Sequence, residues 1–365
     1  MTIRIAIPKE RGQNEKRVAL IPEVAGRLVQ KGFEIALEAG AGLGSFFSDP
    51  DYEKIGVKIE KDLKTLLNGA QIVLKVQAPS HEEIECLSPG TILIAFMSQH
   101  RTPEKIANLK EKKITTFAME KIPRVTRAQS MDALSSQSTV AGYKAVLMAA
   151  NLSSRFFPML TTAAGTIRPA KVLVLGAGVA GLQAIATAKR LGAIVEAYDV
   201  RPAVKEQVQS LGAKFLEIKV DAEAKGGYAR ELTDDEKRRE EEMLAHHVQN
   251  ADCIITTAQI PGKPAPKLLP KDMVLKMKPG SVVVDLAAET GGNCLLTKPG
   301  EMVEINGIKF FGPLNVPAQL PIHASEMVSK NLLNFLLLLT HDGQSLEIDW
   351  NDEIMKGSVL TGGAK

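Results

Sequence analysis

The sequence predicts an α/β protein built from two Rossmann-like, doubly wound parallel-sheet domains separated by a cleft. Three observations predict it. Short β-branched runs alternate with helical patterns along the whole chain. The composition is 45% hydrophobic but only 4% aromatic, so small aliphatic residues must fill the cores, as in parallel sheets covered by helices on both faces. A phrase also repeats. Residues 69–75, GAQIVLK, lead through a proline turn to Pro89-Gly90 and the run TILI, while residues 250–256, NADCIIT, lead to Pro279-Gly280 and the run SVVV.

The elements follow in order. Residues 3–8, 34–38, 71–76, 91–96 and 114–119 read as strands, with helices at 23–31 and 103–112. Residues 132–152, Asp/Ser-rich at the start and apolar afterwards, read as a long crossover helix. A second alternating block has strands at 171–175, 194–198, 214–217, 253–257, 281–286 and 309–311, and helices at 179–191, 202–211, 235–248 and 270–276. A final helix at 324–339 is expected to return to the first block. The expected domains are therefore 1–132 with about 324–365, and 133–323, the latter opened by the crossover helix 133–152.

Composition excludes several classes. The net charge of +3 gives no nucleic-acid surface and no polybasic anchor. Three separated cysteines, Cys86, Cys253 and Cys294, form neither a disulfide framework nor a zinc site. The apolar run 332–339 is interrupted by Asn334 and falls far short of the roughly 20 residues that cross a bilayer. The N-terminus reads as a first strand rather than a leader.

The most informative stretch is KVLVLGAGVAGLQAIATAKRLGAIVEAYDVR. A buried strand enters the turn Gly176-Ala177-Gly178-Val179-Ala180-Gly181, which opens a helix. Gly176 permits the tight turn, Gly178 lets backbone approach a pyrophosphate, and Gly181 permits close helix–strand packing. The helix N-terminus supplies N–H groups and a positive dipole end for the phosphates. Asp199 ends the next strand, 23 residues after Gly176, where a carboxylate bonds adenosine ribose hydroxyls and repels a 2′-phosphate. This favours NAD(H) over NADP(H). Arg201 works against that preference unless it caps the following helix or faces solvent.

A second stretch runs from Pro123 to Gln137: Arg124, Val125, Thr126, Arg127, Ala128, Gln129, Ser130, Met131, Asp132, then Ala133-Leu134-Ser135-Ser136. It offers guanidinium, amide, carboxylate and hydroxyl groups at the start of the crossover helix. Such groups suit a nicotinamide carboxamide and ribose. A solvated loop with an Arg–Asp pair and serine caps is the plainer alternative. None of the six histidines has an obviously catalytic setting, with His100 and His323 left open. An alcohol or amine dehydrogenase must move a proton along with the hydride, whereas transfer between two nicotinamides needs no base. Between Lys219 and Glu242 the chain is polar and charged, with Gly226-Gly227-Tyr228 as a hinge and tip. It suits either a lid over a nucleotide or an ordinary exposed loop.

These motifs, with IPKERGQNEKRVALIPE, IPGKPAPKL, MKPGSVVVDLA and GGNC, cover nearly the whole chain. Together they resemble the NAD(H)-binding domain I of the proton-translocating nicotinamide nucleotide transhydrogenases, in the form carried by a separate soluble alpha subunit. The resemblance implies a homodimer that binds NAD(H) and exchanges hydride directly with NADP(H) held on a partner domain. It further implies coupling to proton translocation through a membrane-embedded subunit, and a cytoplasmic location peripheral to the membrane. Arg124, Gln129, Asp132 and Ser135 stand at the family's nicotinamide positions, within the segment that includes Val125, Thr126, Ser130 and Met131. Val179, Asp199, Val200, Arg201 and Gly227 match the adenosine and pyrophosphate side, and Tyr228 the mobile-loop tyrosine. Ala258 and Gln259 join the cofactor contacts, although Gln259 stands where close relatives carry leucine. Alanine dehydrogenase is the nearest related family. Arg17 and Lys75 match its pyruvate-holding pair, but Ser98 stands where its catalytic histidine falls.

Overall fold

The structure, a computed structural model, describes residues 2–100, 102–217, 233–260, 262–341 and 345–363. The chain forms two compact units, Met1–Gln137 with Pro317–Lys365, and Ser138–Val316. The expected tip residues Gly227 and Tyr228 lie outside the described residues.

The first unit holds a seven-stranded sheet. Strand Arg4–Ile7 lies between Glu34–Glu38 and Ile72–Leu74. Lys58–Glu60 flanks one side, and Ile92–Ala95 then Thr115–Ala118 extend the other, all in parallel. Val359–Thr361 closes the edge antiparallel to Thr115–Ala118. The strands read as near-continuous buried runs, as expected of a sheet covered on both faces. Helix Pro321–Leu338 belongs to this unit. Its Ser325 and Ser329 hydroxyls accept the N–H groups of Val18 and Ile21, at 3.0 Å each.

The second unit repeats the plan. Lys171–Leu175 lies between Ile194–Tyr198 and Cys253–Thr256. Lys214–Leu216 flanks one side, and Val282–Asp285 then Ile308–Phe311 the other, again in parallel. Met302–Ile305 is the antiparallel edge, joined to Ile308–Phe311 by the two-residue turn Asn306-Gly307, both at positive φ. That is the turn chemistry a tight hairpin demands. In both sheets the order of the parallel strands is 3-2-1-4-5-6 when each unit is counted from its own start. The repeated sequence phrase falls on the fourth and fifth strands of each.

The two antiparallel edge strands depart from the expected all-parallel sheets. A chain that doubles back by hairpin or returns from another unit reaches the edge in the opposite sense. A separate exposed hairpin, Leu160–Thr162 with Gly165–Ile167, also goes beyond the expected elements.

Candidate functional site

In a doubly wound sheet the crevice lies at the carboxyl ends of the first and fourth strands, where the strand order reverses. In the second unit these ends carry the glycine turn and residues 257–259. Gly176 sits at φ +97°, a conformation that side chains resist, and a Cβ there would stand 2.6 Å from Thr257 Oγ1. A Cβ on Gly181 would stand 1.8 Å from the Gly176 carbonyl oxygen. A Cβ on Gly178 would meet only the Arg201 guanidinium, at 4.0 Å. Two glycines are thus demanded by the protein's own packing. The middle one is left with room above it.

Helix Val179–Arg190 begins at that turn, with Gly178 as its cap. Gly181, Ala184, Ile185 and Ala188 form its buried stripe at helical spacing. Gly192, at φ +87°, follows its end. The crossover helix Ala133–Leu152 passes so close that a Cβ on Gly142 would stand 2.1 Å from the Ala180 carbonyl oxygen. The first N–H groups of a helix have no intrahelical acceptors, which makes this turn a ready anion site.

Asp199 is in place at the end of Ile194–Tyr198, its side chain 7% exposed. One oxygen accepts the Ala177 N–H at 2.7 Å, so the carboxylate braces the turn itself. Arg201 stands at the N-cap of the 3₁₀ turn Pro202–Val204 but its side chain makes no cap bond there and does not point away. It returns on Asp199 through its backbone N–H, Nε and Nη2, each at 2.9 Å. A charge-assisted fork of this kind is geometrically specific, and it is the nearest route by which the arginine can be partly buried. A shallow pocket of about 60 Å³ opens beside Asp199, walled by Tyr198, Val200, Pro202, Lys205, Phe215 and Glu217.

Residues 257–259 close the other side of the turn. Thr257 Oγ1 donates to the Gly176 carbonyl at 3.0 Å. Ala258 is paired through both backbone groups with the Asn293 carboxamide. Gln259 is exposed, and its amide donates to the Leu286 carbonyl at 3.2 Å. Asp285 is fully buried and accepts from Thr256 Oγ1, Thr297 Oγ1 and the N–H groups of Ala287 and Cys294. Asp285 and Asn293 are not among the site residues expected from the sequence. The signal that points to them is the consecutive pair Gly291-Gly292 in GGNC, at φ +104° and +78°, which folds the chain back beneath the strand ends.

The segment Arg124 to Ser135 lies wholly in the first unit and runs into the crossover helix. Residues Thr126–Met131 form a 3₁₀ turn. Arg124, Thr126, Gln129 and Ser130 are exposed, Val125 is half-buried, and Met131 packs into the core. Asp132 accepts the Ser135 N–H at 2.8 Å and its hydroxyl at 2.6 Å, so Asp132 itself caps the helix. The expected local Arg–Asp pair is not formed by Arg127. That guanidinium forks onto Asp352, with both contacts at 2.8 Å. The Ser130 carbonyl is held by the amides of Asn331 and Asn334 on helix Pro321–Leu338.

The first unit's own strand ends hold charge instead of a glycine turn. Glu10 follows strand Arg4–Ile7 and accepts the Val76 N–H at 2.6 Å. Arg17 is 4% exposed and forks onto Glu15 at 2.8 and 2.7 Å, while its third nitrogen donates to Gln137 at 2.8 Å. Lys75, 2% exposed, donates to Glu83 at 3.0 Å and faces Glu10 at 3.4 Å. Burial pushes the Glu15 carboxyl up, but the Arg17 fork and the Gln77 amide outweigh it and hold it down to about 2. Burial raises Glu10, with Lys75 and the Val76 N–H offsetting only part. Ser98 sits at φ +46° and donates its N–H to Glu120. Among the described residues no cluster suits a metal ion and no helix is long and apolar enough to cross a membrane. Burial pushes the Cys253 thiol up to about 12, which removes it as a nucleophile near neutral pH.

Two family models cover the chain: Alanine dehydrogenase/PNT, N-terminal domain, over residues 6–141, and Alanine dehydrogenase/PNT, C-terminal domain, over residues 145–365. The chain belongs to the alanine dehydrogenase/PNT family. Within it, the chain is 47% identical to the first part of the NAD(P) transhydrogenase alpha subunit of Rhodospirillum rubrum, over 98% of this chain and 96% of that one. It superposes on the crystal structure of transhydrogenase from Sinorhizobium meliloti with a TM-score of 0.90 and 45% identity, covering 99% of each chain. An L-alanine dehydrogenase structure matches less closely, at TM-score 0.82 and 25% identity, over 98% of this chain and 94% of that one. The transhydrogenase resemblance and the two Rossmann-like domains read from the sequence agree with these matches.

Proposed function

We propose that this protein is the NAD(H)-binding catalytic subunit of a proton-translocating transhydrogenase. It would exchange hydride directly with NADP(H) bound on a partner domain, coupled to proton movement by a membrane-embedded subunit. The observation that carries this reading is the near end-to-end match to a transhydrogenase alpha subunit of a chain whose glycine turn and Asp199 suit NAD(H).

The dihydronicotinamide supplies the hydride. The chain's residues bind and orient it. Gly178, Val179, Ala180 and Gly181 would present N–H groups at the helix start to the pyrophosphate, with Gly176 supplying the tight turn, its own N–H being held by the Tyr198 carbonyl at 2.8 Å. Asp199, Val200 and Arg201 would take the adenosine ribose, with Asp199 excluding a 2′-phosphate. Ala258 and Gln259 would line the remaining side. Arg124, Gln129, Asp132 and Ser135, with Val125, Thr126, Ser130 and Met131 as their frame, would orient the nicotinamide end. The exposed Gln129 would reach toward the partner's nucleotide. Gly227 and Tyr228 would cover the bound dinucleotide. Rate would come from holding two nicotinamides in reach, with no side chain needed to move a proton. The exposed hairpin Leu160–Thr162 and Gly165–Ile167, flanked by exposed Phe156 and Met159, supports self-association into a dimer. Attachment to the membrane would come from the partners.

The test mixes the chain with NADH and an NADP(H)-binding transhydrogenase domain. Exchange should appear, and it should be lost in Gln129→Asn and Asp132→Asn with NADH binding retained. Asn also caps helices, so Asp132→Asn removes the charge without removing the cap. The alternative is an alanine dehydrogenase-type enzyme, favoured by the presence of Arg17 and Lys75. Robust NADH production from NAD+ and alanine at alkaline pH would establish it instead. Absence of exchange together with absence of that activity would leave a nucleotide-sensing module.

A further inference from the structure

The motif GGNC has no role in the proposed hydride exchange, yet its asparagine clasps the residue that flanks the nucleotide turn. Asn293 is fully buried. Its Oδ1 accepts the Ala258 N–H at 3.1 Å, and its Nδ2 donates to the Ala258 carbonyl at 2.9 Å and to the Pro266 carbonyl at 2.8 Å. One carboxamide therefore pairs with both backbone groups of one residue, as a neighbouring strand would. The backbone of Asn293 is held in turn, because its carbonyl accepts the N–H groups of Leu268 and Leu269 at 2.9 and 3.0 Å. Asp285 sets the height of this loop by accepting the Cys294 N–H at 3.0 Å. Gly292 is needed for that arrangement, since a Cβ there would stand 2.8 Å from Asp285 Oδ2.

We infer that Asn293 is a positioning residue for dinucleotide binding: it holds Ala258 in place against the glycine turn before the ligand arrives. Strand Cys253–Thr256 ends just before this point, and Ala258 lies beyond the last residue that a strand partner could order. The Thr257 N–H still donates to the Leu175 carbonyl at 2.8 Å, and the carboxamide extends the order one residue further. The hydroxyl of Thr257, in between, is thereby kept on the Gly176 carbonyl, and Gln259 is presented at the mouth. A loop ordered in advance does not charge its ordering entropy against the ligand. Only a side chain with one donor and one acceptor on adjacent atoms can make the pairing. Asp has the same shape but, when ionised, turns an acceptor toward two carbonyl oxygens.

The role rests on the second unit being the NAD(H) site, and two measurements on the full chain keep the two ideas apart. NADH titration of the unsubstituted protein tests the nucleotide reading alone. Amide hydrogen exchange of the same protein without nucleotide tests the clasp alone: the Ala258 N–H should be protected to the level of Cys253–Thr256. Rapid exchange at Ala258 would overturn the proposal whether or not NADH binds. The functional arm uses Asn293→Asp. At pH 8 its NADH affinity should fall about tenfold. It should recover as the pH is lowered toward 6, because a protonated carboxyl again offers one donor and one acceptor to Ala258. The unsubstituted protein should not show that recovery. A folded Asn293→Asp chain with undiminished affinity, or a loss that does not respond to pH, would overturn the positioning role. Should the variant not fold, the exchange measurement alone decides.

Discussion

The two units share strand order and differ at the one place where that order matters. In the second unit the reversal point carries a glycine turn with open space above Gly178. In the first unit the equivalent point is filled from within, by Glu10 reaching to the Val76 N–H and by Glu15 lying in the Arg17 fork. A short loop into a helix leaves N–H groups for a ligand. A longer irregular stretch, from Pro8 to helix Pro22–Gln30 with a turn at 12–15, instead brings carboxylates that accept the N–H groups of Val76, Gln77 and Arg17. The architecture alone therefore does not make a nucleotide site. The loop after the first strand does.

The largest effect is expected at Glu15→Ala, which strands the buried Arg17 charge and should cost about 3–5 kcal/mol of stability in chemical denaturation. A variant as stable as its parent would mean that the first unit's crevice is not internally filled. Acid should act on the same group. The Glu15 carboxyl is depressed from 4.5 to about 2, so its stabilisation is complete above about pH 4.5 and is lost as pH falls toward 2. The shift corresponds to about 3 kcal/mol, and Glu15→Gln should flatten that part of the stability profile. Next comes Gly181→Ala, which forces atoms apart at the turn and should cost about 1–3 kcal/mol with loss of NADH binding. Gly178→Ala sharpens the contrast most. It should leave the thermal midpoint unchanged but weaken NADH about tenfold, or about 1.4 kcal/mol, and equal binding would deny that a phosphate approaches there. The smallest effect is expected at Asp199→Asn. NADH should bind a few-fold less tightly and discrimination against NADPH should narrow by less than about 1 kcal/mol, since Arg201 loses its charge partner. Unchanged selectivity would assign the nucleotide choice to another group.

How far each feature is legible in the sequence depends on what that feature requires. Gly176 and Gly181 are evident because a Cβ would stand 2.6 Å from the Thr257 hydroxyl at one and 1.8 Å from a backbone carbonyl at the other, and such demands leave a local pattern. Asp199 is placed by distance along one βαβ unit. Its bond to Arg201, two residues on, escapes notice because helix capping and ion pairing use the same residue types. Asp132 reads as part of an acidic helix start and proves to be the cap. The Arg127–Asp352 fork and the Asn293 clasp join residues far apart in sequence, so no local spacing announces them. The edge strand Met302–Ile305 escapes the reading despite Asn306-Gly307, a hairpin signal that its alternating burial supports. Tip residues Gly227 and Tyr228 fall outside the described residues.

The Glu15–Arg17 fork has a consequence for how such a chain changes over generations. Neither residue is replaceable alone, because each single change leaves the other's charge buried and unmatched. Replacing both together by apolar groups of similar volume removes two desolvated charges at once and should be far milder than the sum. The pair thus sits across a fitness valley, crossed only by paired substitutions, and a double-mutant cycle would show strong positive epistasis.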